Sequence, residues 1–172
     1  MENLLISNAK LSDFSQLVTL FKTVFKKHNI FLKSNSDVKN YLIKMHKSNS
    51  RIGLGLLVAT IENKVVGALL LRKKDFDNIG KHFVVKYNHF AVLPEYKGHG
   101  VGTYLIRIAD QKIKDLIKKG KIKTAKIEVC VSENEKEALD FYKTHSFIIE
   151  GELKSHYRFN ELVYVLGKEI ED

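Results

Sequence analysis

The residues with the clearest chemical potential are Lys97-Gly98-His99-Gly100-Val101-Gly102, which follow the apolar segment Phe90-Ala91-Val92-Leu93 and the turn Pro94-Glu95-Tyr96. Glycines at alternate positions let a backbone approach a ligand closely. The amphipathic segment beginning directly after them adds the unpaired N–H groups of a helix's first turn. Together they make an anion site from main chain alone, suited to a phosphate-bearing cofactor; a strand-to-helix turn that binds nothing is the alternative. The spacing is not that of a Walker A loop, because no Gly-Lys-Ser/Thr follows. Nor is it the dinucleotide fingerprint, in which the last two glycines are separated by two residues. A second group, Ala138, Phe141, Tyr142 and His145, recurs at i, i+3, i+4 and i+7 and so occupies one helical face. Periodicity alone reads it first as a core aromatic stripe. His82, His145 and His156 have no metal-ligand spacing, so no metal is expected, and Cys130 reads as a small buried residue.

The elements that must position these residues follow from periodicity. Leu4–Asn8 reads as a strand, and Ser12 as the cap of a helix whose face is Phe14, Leu17, Val18, Phe21, Val24 and Phe25. A second helix from about Ser36 repeats the rhythm at Val38, Tyr41, Leu42 and Met45. Gly55–Glu62 and Lys64–Lys73 form an antiparallel hairpin about the polar turn at Asn63, and Lys81–Val92 is the strand that delivers the glycine loop. The helix after the loop carries Val101, Leu105, Ile108, Ile113, Leu116 and Ile117 on its core face and ends at Gly120. Lys123–Val131 is a β-branched strand and Glu135–His145 a helix; strands Phe147–Glu152 and Leu162–Glu169 complete the chain. The order β-α-α-β-β-β-α-β-α-β-β predicts a mixed sheet covered by helices in one domain spanning residues 1–172. Asn88 shares a strand face with Phe90, and His89 faces the other way.

Composition narrows the functional classes. A chain of 172 residues, 44% hydrophobic, can bury a proper core. The apolar runs Ile52–Ile61 and Val65–Leu71 are too short to span a bilayer, and nothing reads as a signal peptide, so no membrane partner is expected. The single cysteine suits a reducing, cytoplasmic setting. Lysine and arginine number 29 against 20 acidic residues, a net charge of +9 that favours anionic partners. The lysines are dispersed and lack aromatic interleaving, so nucleic acid is not the expected partner.

The string Ala91-Val92-Leu93-Pro94-Glu95-Tyr96-Lys97-Gly98 through Gly102 resembles the acetyl-CoA motif of the GNAT superfamily of N-acetyltransferases. Lys97 stands where that family usually carries Arg or Gln. A second family signature, a helix with Ala-x-x-Phe-Tyr and then Gly-Phe, is matched by Ala138-Leu139-Asp140-Phe141-Tyr142 with Ser146-Phe147, where Ser146 replaces the glycine. The resemblance implies an α+β (mixed α/β), three-layer fold. Its central mixed, largely antiparallel sheet has about seven strands and is flanked by about four helices. It also implies transfer of the acetyl group of acetyl-CoA to a primary amine by direct attack in a ternary complex. A non-catalytic acyl-CoA-binding module, acting as sensor or docking partner, is the alternative.

The same resemblance assigns roles. The amides of Gly98, His99, Gly100, Val101, Gly102 and Thr103 bind the pyrophosphate of coenzyme A, with Lys97 adding charge. Phe90, Ala91 and Val92 offer backbone groups to the pantetheine arm. Tyr142 protonates the departing thiolate, and Phe141 lies beside it. Asn134 corresponds to a cofactor-binding asparagine, although the family position itself, three residues before the helix alanine, is Glu135. An alkyl-ammonium with a pKa of about 10.4 must lose a proton before it attacks. Glu128 occupies a strand position where some members carry a glutamate base, and a water chain is the other route. Acceptor choice is expected from Lys26–Asn35 and Lys154–Glu161, with Glu150 and Glu152 able to attract a cation. A small-molecule amine, a protein lysine and a protein N-terminus all fit. An exposed edge strand would let a homodimer form.

Overall fold

The structure, a computed structural model, describes residues 3–171. Among these residues the elements are β1 (Leu5–Asn8), α1 (Phe14–Val24), α2 (Asn35–Ser50), β2 (Gly55–Ile61), β3 (Lys64–Asp77) and β4 (His82–Val92). They continue with α3 (Val101–Lys118), β5 (Thr124–Ser132), α4 (Lys136–Thr144), β6 (Ile148–Lys154) and β7 (Leu162–Ile170). The strands form one seven-stranded sheet in the order β1-β2-β3-β4-β5-β7-β6. The β4–β5 pair is parallel, and β1–β2, β2–β3, β5–β7 and β6–β7 are antiparallel. The mixed, mostly antiparallel sheet with four α-helices is the architecture the sequence implies. No helix among the described residues is long and apolar enough to cross a membrane.

The chain divides into two compact units, and β3, β4 and α3 each contribute to both. The first comprises residues up to Arg72 together with Tyr87–Lys112. Most of β2 and the first half of β3 are buried on both faces, whereas β1 at the sheet edge is not. Leu56, Val58, Val65, Ala68 and Leu70 pack with Phe14, Leu17 and Phe21 of α1 and Val38 and Leu42 of α2. On the opposite face Gly67 lies so close to α3 that a Cβ there would come within 3.0 Å of Val101 and 3.2 Å of Leu105. Glu62 and Asn63 both take positive φ, 48° and 65°, which lets two residues close the β2–β3 hairpin with the strands' own twist.

Two local expectations change. Ser12 does not cap α1: Leu11–Asp13 forms a 3-10 turn, and the Asp13 carboxylate accepts the Lys10 N–H at 2.7 Å. In α3 the buried stripe runs through Val101, Leu105, Ile106, Ala109 and Ile113, leaving Ile108 exposed. The face is set by which i+3/i+4 row meets the sheet, and a row through Ala109 excludes its neighbour.

The second unit comprises Lys73–Lys86 and the chain from Ile113 onwards. β4 pairs with β5 from His82–Thr124 to Lys86–Glu128, where that ladder stops. β5 pairs along its other edge with β7, from Ala125–Ile170 to Ser132–Val163. The odd residues of β5, Ala125, Ile127, Val129 and Val131, are buried. Lys126, Glu128, Cys130 and Ser132 therefore share the opposite face.

Candidate active site

The glycine loop has the geometry its composition implies. Pro94–Tyr96 forms a 3-10 turn after β4, and Gly98 and Gly100 then adopt φ of +75° and +81°, a region that only glycine enters at little cost. A Cβ on Gly98 would meet nothing within 4 Å, and one on Gly100 only the Tyr104 ring at 3.8 Å. The main chain is thus open on its outer side. Tyr104 N donates to Gly100 O at 3.0 Å, so α3 starts directly on the loop. His99 donates through Nδ1 to Lys97 O at 2.8 Å, and both side chains are exposed. Such a cradle fits a phosphate anion.

Strand β4 leads into this loop through an irregularity that simple alternation misses. His89 has φ of +45°, rare for a residue with a side chain. Before it, Tyr87 points to α3 and donates its hydroxyl to Asp110 at 2.8 Å. After it, Ala91 packs with the α1–α2 core, and His89 itself sits among Phe21, Phe25, Phe31 and Tyr41. The Tyr41 hydroxyl and His89 Nε2 are 2.7 Å apart. Burial first, then the nearby His28 and Arg72, hold His89 down to about 4, so its imidazole is neutral.

On the second unit, Tyr142 is buried near the end of α4. The helix terminates in a Schellman arrangement: Phe147 N donates to Tyr142 O and Ser146 N to Lys143 O, each at 3.1 Å. Ser146, at φ of +67°, occupies the left-handed position that glycine usually fills. The Phe147 ring meets Tyr142 edge-on at 5.3 Å, and Phe141 packs beside both Tyr142 and His145. Burial, reinforced by the Glu135 charge, raises the Tyr142 pKa well above the ordinary phenol value. Its hydroxyl therefore stays protonated and able to donate.

Glu128 is mostly buried on β5 and ion-paired, with Lys74 Nζ 2.6 Å from Oε2. Asn134 is exposed, and its amide donates to the Ser132 hydroxyl at 3.3 Å. Two clusters went unrecognised in the sequence. One is Tyr41–His89 with Arg72. The other joins Ser132 at the end of β5 to Glu161 at the foot of β7, Ser132 Oγ donating to Glu161 Oε1 at 2.7 Å. Their partners are 48 and 29 positions apart, and only the sheet and helix packing brings them together.

No curated protein sequence matches the chain. Among solved structures, it resembles Arabidopsis thaliana Naa50 in complex with the bisubstrate analogue CoA-Ac-MVNAL, at 22% identity over 98% of this chain and 99% of that one (TM-score 0.70). It resembles a spermidine N-acetyltransferase chimera of Vibrio cholerae SpeG and hSSAT at 19% identity over 96% and 95% (TM-score 0.71). A third is yncA, a putative acetyltransferase from Salmonella typhimurium with its cofactor acetyl-CoA, at 10% identity over 99% and 96% (TM-score 0.76). The sequence model of the acetyltransferase (GNAT) domain matches residues 53–149, more than half of the chain and the stretch containing both the glycine loop and Tyr142. The chain therefore belongs to the GNAT acetyltransferase family.

Proposed function

We propose that this protein is an N-acetyltransferase, residues 1–172 acting as one functional domain, that moves the acetyl group of acetyl-CoA to a primary amine in a ternary complex. The observation that carries the reading is the pair of left-handed glycines, Gly98 and Gly100, opening the α3 N-terminus inside the matched family region. In this reading the amides from Gly98 to Thr103 hold the pyrophosphate, with Lys97 supplying charge and His99 flanking it. Backbone groups at Phe90, Ala91 and Val92 bond the pantetheine arm, on a strand whose ladder with β5 stops at Lys86. Phe141 and Asn134 complete the cofactor contacts.

Acetyl-CoA supplies an acyl carbon activated by its thioester. Tyr142 keeps its proton at neutral pH and delivers it to the departing sulfur. Glu128 receives the proton shed by the amine, through water, with Lys74 Nζ held 2.6 Å from its Oε2. One related structure holds a bisubstrate analogue, CoA-Ac-MVNAL, and another is by name a spermidine N-acetyltransferase, which supports a cationic amine as the acceptor here. Incubating the protein with acetyl-CoA and a panel of amines, with free thiol as the readout, tests the proposal. Amine-dependent thiol release is expected; coenzyme A binding with no turnover on any amine would favour a binding module instead.

A further inference from the structure

Glu161 is 7% exposed, and its two carboxylate oxygens are unequally satisfied. Oε1 accepts from Ser132 Oγ at 2.7 Å and faces Arg158 Nη1 at a long 3.4 Å. Oε2 is buried and has no hydrogen-bond partner. Burying a carboxylate oxygen without a donor is costly, and an exposed Arg158 at that distance offsets the cost poorly. The Arg158 side chain is 62% exposed and sits in the β6–β7 connection, where Ser155 and Asn160 both take left-handed φ. The carboxylate is thus fixed by Ser132, under-satisfied, and held by a counter-ion that is easily exchanged.

Its surroundings connect it to the chemistry. The Ser132 amide donates to Glu135 Oε2 at 3.2 Å, and the Glu135 charge acts on both Tyr142 and Tyr157. Tyr157, beside the Cys130 thiol, is pushed up to about 12, burial being the largest cause and Glu135 and Glu161 contributing, so it remains a neutral hydroxyl. One end of β5 therefore gathers two carboxylates on a single serine, Glu161 on its hydroxyl and Glu135 on its amide. Acidic groups at that point in a chain of net charge +9 select for a cation.

We propose that Glu161, held by Ser132, binds the ammonium group of the acceptor amine, and that Arg158 occupies this carboxylate in the free enzyme and yields it on binding. The inference rests on the acetyltransferase reading and adds the acceptor's charge class: amines that arrive as cations, selected over uncharged nucleophiles of the same shape. The incoming ammonium provides the donor that Oε2 lacks, and charge-assisted bonds to a buried carboxylate are strong.

Two substitutions with opposite expected signs test it. Spermidine, Nα-acetyl-lysine amide and a pentapeptide with a free N-terminus are each titrated calorimetrically into the full-length protein saturated with coenzyme A. Each is paired with an analogue carrying –O–NH2 in place of –CH2–NH2, which is uncharged at neutral pH. Glu161→Gln is expected to weaken binding of the preferred ammonium about tenfold or more while leaving the aminooxy analogue within about twofold. Arg158→Gln is expected to tighten ammonium binding severalfold by removing the competitor. Circular dichroism and coenzyme A affinity of each variant establish that it is folded. Parallel losses in both variants, equal losses on charged and uncharged ligands, or wild-type protein that binds coenzyme A and none of the ammonium probes would overturn the proposal. Absence of coenzyme A binding by the wild type would instead remove the acetyltransferase reading beneath it.

Discussion

Phe147 is bonded to Tyr142 twice over: its amide donates to the Tyr142 carbonyl at 3.1 Å, and its ring meets the phenol ring edge-on at 5.3 Å. The cap that ends α4 therefore also fixes the backbone and ring of the residue to which proton donation is assigned. Burial that keeps the Tyr142 hydroxyl protonated comes from the same packing.

Tyr142→Phe removes the proton and little else, since the ring and its contact with Phe147 persist. Turnover is expected to fall on the order of 100-fold or more, in the range of a lost general acid. Coenzyme A affinity, measured by calorimetry, should change by no more than about twofold. Equal losses in both would make Tyr142 a packing residue.

Ser146→Gly relieves a side chain held at φ of +67°. The left-handed penalty is on the order of 1 kcal/mol, so urea unfolding should show a gain of about that size, with turnover unchanged. A loss of stability would mean the serine hydroxyl contributes more than its backbone strain costs.

Gly100→Ala imposes the reverse strain at φ of +81°, where the added methyl would also approach the Tyr104 ring. Coenzyme A affinity is expected to drop about tenfold, because the loop amides rotate away from their common target. Calorimetry with pantetheine, which lacks the pyrophosphate, and with dephospho-coenzyme A, which keeps it, would show whether the loss lies at the pyrophosphate.

How far the sequence reached can be judged at these same positions. Gly98 and Gly100 were legible because a left-handed backbone leaves a mark on residue type. The helical stripe of α1 was legible because burial leaves a period, whereas in α3 the period put Ile108 on the core face and missed Ile106 and Ala109. His89 carries no such mark: a bulge at a histidine looks like ordinary alternation, so the reversal between Tyr87 and Ala91 is invisible until the strands pair. Ser12 read as a cap because serine is a common capping residue, but it is the adjacent Asp13 that takes the Lys10 amide. Glu161 lay within the segment expected to choose the acceptor, but its partner Ser132 belongs to a strand brought alongside by β7.

Acid should destabilise the fold earlier than carboxylates alone would. His28, His46 and His89 are all held below the ordinary imidazole value, burial being the leading cause in each. His46 Nδ1 accepts the Leu56 amide at 3.0 Å and cannot do so when protonated there. The unfolded chain takes up these protons near pH ~6.5, the folded chain only lower, His89 at about 4. The unfolded state thus binds more protons first, and stability present above pH ~6.5 is lost as pH falls towards about 4. His89 alone accounts for on the order of 3 kcal/mol across that window. Urea midpoints taken from pH 7 to pH 4 should decline throughout it, and His89→Gln should flatten the slope. A midpoint constant until the carboxylate range, about pH 4.3, would contradict this assignment.

The most direct measurement is mass spectrometry of both acceptor and enzyme after incubation with acetyl-CoA and the amine that gives the fastest thiol release. Direct transfer predicts one acetylamide formed for each free thiol, with Cys130 and every other enzyme side chain unmodified before the amine is added. An acetyl group found on the enzyme in the absence of amine, or thiol release with no acetylated amine, would contradict it.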